Sequence, residues 1–204
     1  MSFSLSAQTP IVFDAPVTSA CTNSEFIISA ELDIPPPPPL EFPYTKDSGT
    51  EIYVSTTGSD VSGDGSLGNP YQTIQAGINA TSNGNIVTVL PGTYTGSGNI
   101  EISPQGKQIT IQSEDGPLFT TIDCEFNGRG FMVNQGESMN TIIKGFEIRN
   151  GKNIQPPIYT TTGSAIFVLD NSGILIKDCF FENNQEGCIR FGDTETSGPQ
   201  SAVE

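Results

Sequence analysis

Lys144 and Lys177 are two of only eight basic residues in a chain of 204 residues with formal net charge −15. They occupy the same place in two segments that read alike, TIIKGFEIRNG at 141–151 and ILIKDCFFENN at 174–184. Aligned, these match Ile143 with Ile176, Lys144 with Lys177, Phe146 with Cys179, Ile148 with Phe181 and Asn150 with Asn183, which sets Glu147 against Phe180 and Arg149 against Glu182. Two lysines stacked on one face would hold a carboxylate or sulfate of an acidic sugar, or pair with Asp178 and other nearby acids. An outward Phe180 would pack on a sugar, a neighbouring chain or the 152–163 loop, in which Ile154, Pro156, Pro157, Ile158 and Tyr159 form a bulky insertion. Arg149 over Glu182 reads as an exposed ion pair worth about 0–1 kcal/mol. A second constellation, Asp60-x-Ser62-x-Asp64-Gly65, imitates the start of a calcium loop, with oxygen ligands at alternate positions and a glycine at the bend. Its twelfth position is Tyr71 rather than a bidentate Glu, which favours a plain turn and leaves Ca2+ as the only cofactor to consider. The chain has no histidine, so His-Cys zinc sites and Ser-His-Asp triads are excluded.

The elements that must carry these side chains are strands. Each look-alike segment alternates apolar and polar residues, bends at Gly145 or Asp178, resumes and stops at Asn. QITIQ, with Ile109 and Ile111, starts a third copy about one repeat earlier. Strand-type repeats of this period mean a solenoid, in which each coil buries its inner face only by stacking on its neighbours. Strands are expected at Ile52–Ser55, Ile86–Leu90, Ile100–Ser103, Gln108–Gln112, Thr120–Cys124, Phe131–Val133, Ile142–Arg149, Ala165–Leu169, Ile174–Glu182 and Cys188–Phe191. The inward set is Ile109, Ile111, Ile143, Phe146, Ile148, Ile166, Val168, Ile174, Ile176, Cys179, Phe181 and Ile189. Asn127–Gly130 reads as a tight turn between coils.

Only 15% of residues are charged, while 22 Gly and 15 Pro suit a β-rich chain of many turns. The acidic surface repels phosphate backbones, which excludes nucleic acid as a partner, and it repels polyanionic polysaccharides unless a cation intervenes. The N-terminus lacks the basic and apolar regions of a Sec signal peptide, and no stretch is apolar enough for a membrane span. Cys21, Cys124, Cys179 and Cys188 show no metal-ligand spacing. Cys179, standing where the first repeat has Phe146, reads as a buried free thiol, although four cysteines also allow three full disulfide pairings.

Three regions follow. Residues 1–50 form an extended Pro-rich arm in which Pro35–Pro39 make a polyproline II spacer. The arm is either a linker or a docking segment that orders along another subunit. Residues 51–98 hold a strand, a Gly/Asp/Ser loop, and a short helix at Ile74–Ala80 capped by Thr73, with Ile74, Ala76 and Ile78 on its apolar side. The helix ends at Asn83-Gly84, and the strand at 86–90 leads into a turn at Pro91-Gly92-Thr93. A lone amphipathic helix here is placed to cover the open end of the first coil. Residues 99–204 are coils and a polar tail.

The series Tyr53-Val54, Gly58, Asp60, Gly65, Pro70, Thr73-Ile74, Ala76, Ile78, Gly84, Val87, Val89 and Pro91-Gly92-Thr93-Tyr94 resembles the N-terminal cap and first coil of right-handed parallel β-helix proteins of the pectate-lyase-like superfamily, with PbH1-type repeats. The resemblance runs from Glu51 onward. It implies an all-β fold: a short right-handed parallel β-helix solenoid with an N-terminal capping α-helix. It also implies that Asn150 and Asn183 stack as a structural asparagine ladder. Hydrolases of that group need histidine, which is missing, and its lyases need an Arg or Lys base with calcium held by strand carboxylates. Lys144, Lys177, Arg149 and Arg190 supply bases, but in this register no three outward carboxylates surround them, so no catalytic residue is assigned. After Phe191 the sequence is polar, with no second amphipathic cap, so the last coil is expected to be covered by the tail, by another subunit or by further chain. These features point to a non-catalytic structural or adhesion module on a virion (spike, fibre or decoration) or an extracellular surface. Its partners would be other subunits contacted through residues 1–50 and the open coil, in a homo-oligomer such as a trimer, with a polysaccharide as a further contact. The alternative is a carbohydrate-active enzyme of the polysaccharide lyase type.

Overall fold

The computed structural model describes residues 44–154, 164–169, 172–185 and 187–192. The expected arm before Tyr44, with its proline run, lies outside these residues, as do Cys21, most of the 152–163 insertion and the polar tail after Gly192. The described chain is mostly β with one helix. The strands are β1 (Glu51–Val54), β2 (Ile86–Val89), β3 (Gly92–Tyr94), β4 (Thr110–Ser113), β5 (Thr120–Asp123) and β6 (Phe131–Val133). They continue with β7 (Ile142–Lys144), β8 (Glu147–Arg149), β9 (Ile166–Leu169), β10 (Leu175–Lys177), β11 (Phe180–Glu182) and β12 (Ile189–Gly192); α1 is Ile74–Ala80.

All strand pairs between these elements are parallel, in three sheets ordered β1-β2-β4-β7-β10, β3-β5-β8-β11 and β6-β9-β12. Each pass of the chain from β4 on therefore adds one strand to each sheet. The look-alike segments pair in the register read from sequence, Ile176 beside Ile143, Lys177 beside Lys144 and Glu182 beside Arg149. Ile111 pairs with Ile143 in the same way. The alternation of each strand then stacks like on like: Val87, Ile111 and Ile143 form a fully buried column in the first sheet, Tyr94, Ile122 and Ile148 one in the second, and Phe131 and Ile166 one in the third. Full burial of each such side chain is worth roughly 1.5–3 kcal/mol, and this core holds the passes together.

Each expected long strand at 142–149 and 174–182 is two short ones in different sheets. Gly145 (φ +77°) and Asp178 (φ +50°) are left-handed and turn the corner. The stretch 100–103 forms only isolated bridges, Ser97 with Ile100 and Ile102 with Phe131, while the expected turn at Gly92-Thr93 belongs to β3. Ile189 departs from the inward set, being 39% exposed although it stands in the column of Phe131 and Ile166; among the described residues no later strand covers it.

The helix forms where the sequence places it. The Thr73 hydroxyl accepts the Ala76 N–H at 3.2 Å, Ile74 and Ile78 are buried, and Lys107 Nζ donates to the Ile78 carbonyl at the far end (2.6 Å). Gly77 lets α1 approach the sheet, since a Cβ there would lie 2.6 Å from Val54 Cγ2.

Candidate functional site

Two outward faces carry the charged side chains singled out above. On the first sheet the outward column is Tyr53, Thr88, Gln112, Lys144 and Lys177. Most of it is covered by the chain's own residues 44–47. The Gln112 side-chain amide accepts the Asp47 N–H (2.8 Å) and donates to the Asp47 carbonyl (2.9 Å), as a neighbouring strand would. The Asp47 carboxylate takes Lys144 Nζ at 2.8 Å, and Lys46 reaches Glu114 at 2.7 Å. Tyr44 donates to the Ser113 carbonyl (2.5 Å), with Lys144 Nζ 5.6 Å from its ring centroid. Burial, with the charges of Asp178 and Asp47 added, pushes the Tyr44 phenol well above its usual range.

Lys144 thus does hold a carboxylate, that of Asp47, and its side chain is only 7% exposed. It is not open to a sugar acid, whereas Lys177, its register partner, is exposed. Phe180 lies on a different sheet, around the Asp178 corner from both lysines, so the three candidate ligand residues do not share one face.

The second sheet has an outward row Thr93, Thr121, Glu147 and Phe180, with Asp123, Arg149 and Glu182 alongside. Thr121 donates to Glu147 (2.6 Å). Arg149 pairs with Asp123 (3.0 Å) and approaches Glu147 (3.9 Å), rather than forming the expected pair with Glu182. Asp123 wins because it is held in place by Asn150, whose amide donates to it at 2.9 Å. The hydrogen bond that Arg149 donates to Asp123 raises the Arg149 pKa further, against a smaller opposing effect of desolvation, and Glu147 and Glu182 add to the rise. The reading that no three outward carboxylates flank a basic residue is therefore corrected: Asp123, Glu147 and Glu182 all act on Arg149.

The asparagines stand in line. Asn183 donates to Asn150 (2.7 Å), which donates to Asp123, and Asn150 and Asn183 are left-handed at φ +54° and +52°. Asn184, which the sequence reading passed over, accepts the Gly151 N–H and donates to the Ile148 carbonyl.

In the loop before the helix, Asp60 accepts the N–H groups of Gln72 (2.7 Å) and Thr73 (2.9 Å) and the Thr73 hydroxyl. Asp64 accepts Ser66 N–H, and Ser62 bonds to Ser59. Their oxygens serve the turn, and among the described residues no cluster of three acidic or thiol side chains is arranged to hold a metal. Cys124, Cys179 and Cys188 are free thiols. Arg129, in the segment read only as a turn, is fully buried with its guanidinium 4.8 Å from the Phe167 ring centroid and 4.0 Å from Glu101. Nothing in its local pattern distinguishes it from a solvated turn residue.

Among the described residues no helix is long and apolar enough to cross a membrane. No family model and no curated protein matches the chain. A solved structure named as a rhamnogalacturonan lyase is similar at 17% identity and a TM-score of 0.42, over 61% of this chain and 34% of its own length. This chain spans about a third of that structure, and a likeness so slight carries neither fold nor activity across.

Proposed function

We propose that the chain is a short right-handed parallel β-helix serving as a non-catalytic structural or adhesion module, attached to a larger assembly through the residues before Tyr44. One observation carries this reading: the cations central to both outward faces are matched by the chain's own acids, Lys144 by Asp47 and Arg149 by Asp123. Eliminating across a uronate needs a base that gives up its proton and a second group that neutralises the acid. Arg149, its pKa raised by Asp123, is poorly suited to the first task. Lys144 is committed to Asp47 and poorly suited to the second. Any glycan contact would fall to the row Thr93, Thr121, Glu147 and Phe180, where hydroxyls and one aromatic ring suit a neutral sugar.

The second reading, a polysaccharide lyase, draws on the three carboxylates about Arg149. Calcium does not fit them as they stand, because Asp123 is engaged by Arg149 and Asn150. Incubating the full chain with a panel of acidic polysaccharides, with and without calcium, decides between the two. The structural reading expects no ultraviolet-absorbing unsaturated product. Product formation that is lost in Arg149→Ala would overturn it.

A further inference from the structure

The pair Asn-Gly occurs three times, at Asn83-Gly84, Asn127-Gly128 and Asn150-Gly151. An asparagine side chain closes most readily on the backbone in this pair, because glycine has no Cβ to shield its own nitrogen. Closure asks two things of the structure: an amide side chain able to turn, and a following N–H not engaged elsewhere. The fold withholds both from two of the pairs. The Asn83 side chain accepts the Gln108 N–H (3.0 Å), while the Gly84 N–H donates to the Gln108 carbonyl (2.8 Å). The Asn150 amide is held at both ends, accepting from Asn183 (2.7 Å) and donating to Asp123 (2.9 Å), and the Gly151 N–H donates to the Asn184 side chain (2.8 Å). Asn127 differs. It is exposed at the corner between β5 and β6, after two left-handed residues, Glu125 and Phe126. Its own N–H is fixed to the Cys124 carbonyl (2.8 Å), and the Gly128 carbonyl accepts the Lys152 N–H (2.8 Å). Between those anchors, neither the Asn127 side chain nor the Gly128 N–H has a hydrogen-bond partner among the described residues.

We propose that Asn127 is a site of spontaneous modification in the folded protein, converting to aspartate and isoaspartate while Asn83 and Asn150 are preserved. The Gly128 nitrogen attacks the side-chain carbonyl carbon of Asn127 and closes a five-membered imide. The amide nitrogen leaves as ammonia, taking up the proton that the Gly128 nitrogen sheds. Water then adds to one of the two imide carbonyls and opens the ring. One carbonyl becomes a carboxylate, and the other keeps the link to Gly128, through the main chain in aspartate and through the side chain in isoaspartate. Water is the sole co-reactant, and nothing is oxidised or reduced. The isoaspartate product inserts a methylene into the backbone of a corner tied to both neighbouring passes, by Arg129 N–H to Glu101 (2.9 Å) on one side and Lys152 N–H to Gly128 on the other. Either product adds one negative charge to a chain already at −15.

Peptide mapping by mass spectrometry tests the proposal on the full chain aged at mildly alkaline pH, with peptides cut so that each holds one Asn-Gly pair. The same chain aged in denaturant sets the rate of each pair without the fold, and far-UV circular dichroism checks that the other sample stays folded. Relative to those rates, folding should slow Asn83 and Asn150 at least about tenfold more than Asn127, because ring closure at either must first break its hydrogen bonds. The Asn127 peptide should gain the mass of an amide turned acid and divide by chromatography into aspartate and isoaspartate forms. Asn83 or Asn150 converting as fast as Asn127 in the folded chain overturns the assignment. So does a folded Asn127 that stays intact while it converts in denaturant.

Discussion

Replacing Gly145 by Ala should unseat the strap at 44–47, and the cost can be divided into two parts. Gly145 sits at φ +77°, and an added Cβ would lie 2.5 Å from Tyr44 Cε2 and 2.7 Å from its Oη. Holding an L residue in the left-handed region costs about 1–2 kcal/mol. The overlap with a half-buried ring has no such modest solution. Tyr44 must lift, forfeiting its hydrogen bond to Ser113 (roughly 1 kcal/mol) and about half of a tyrosine's buried area (roughly 1–2 kcal/mol). Gly145→Ala should therefore destabilise by roughly 3–5 kcal/mol. In a Tyr44→Ala background the same change should cost only the backbone part, about 1–2 kcal/mol, a coupling of roughly 2–3 kcal/mol. Denaturant unfolding followed by far-UV circular dichroism supplies the four stabilities. A tyrosinate absorbance titration reports the strap separately, because release should return Tyr44 from its raised value to the ordinary range near roughly pH 10. Additive costs, or a Tyr44 that remains protected in Gly145→Ala, would refute the account of the strap.

Two further outcomes follow from the ionisable groups. Burial pushes the Asp123 pKa up, but hydrogen bonds from Asn150, the Glu125 N–H and Arg149 together outweigh it, and the net shift is downward. A carboxyl lowered on folding adds stability above the unfolded range near roughly pH 4 and loses it as pH falls through the folded value. Asp123→Asn should accordingly flatten the acid limb of the melting temperature against pH; an unchanged limb would mean that the Asp123, Arg149 and Asn150 cluster contributes nothing. Burial, helped by Asp123 and Glu101, raises the Cys124 thiol to about 12, so native Cys124 should resist a thiol reagent at mildly alkaline pH and react only on unfolding, as read by mass spectrometry of labelled peptides.

The repeat register was legible because two nearly identical segments carry apolar residues at matching positions, and parallel pairing can only align like with like. The helix was equally legible, since Thr73, the Ile74 and Ile78 spacing and Gly84 each act locally. What the sequence could not show was contact made across distance in the chain. Asp47 and Lys144 are 97 residues apart, and nothing beside either names the other. The acid that Lys144 meets was therefore not readable, while Lys177 beside it stays exposed. Corners were also hidden. Gly145 and Asp178 read as bends within one strand, yet each moves the chain to another sheet and separates Phe180 from Lys177. Arg149 was assigned the neighbour below it, but the better acceptor was the one above, fixed by Asn150.

The strap also sets how the protein would bear load. Tension drawn through the N-terminal segment enters at Tyr44, where the chain is fastened to Ser113, Gln112, Glu114 and Lys144 on two successive passes before it reaches β1. Pull from that side is shared sideways by several bonds at once, in shear, instead of peeling the first strand one hydrogen bond at a time. Drawn along the chain, the strap would therefore give way only when these bonds break together.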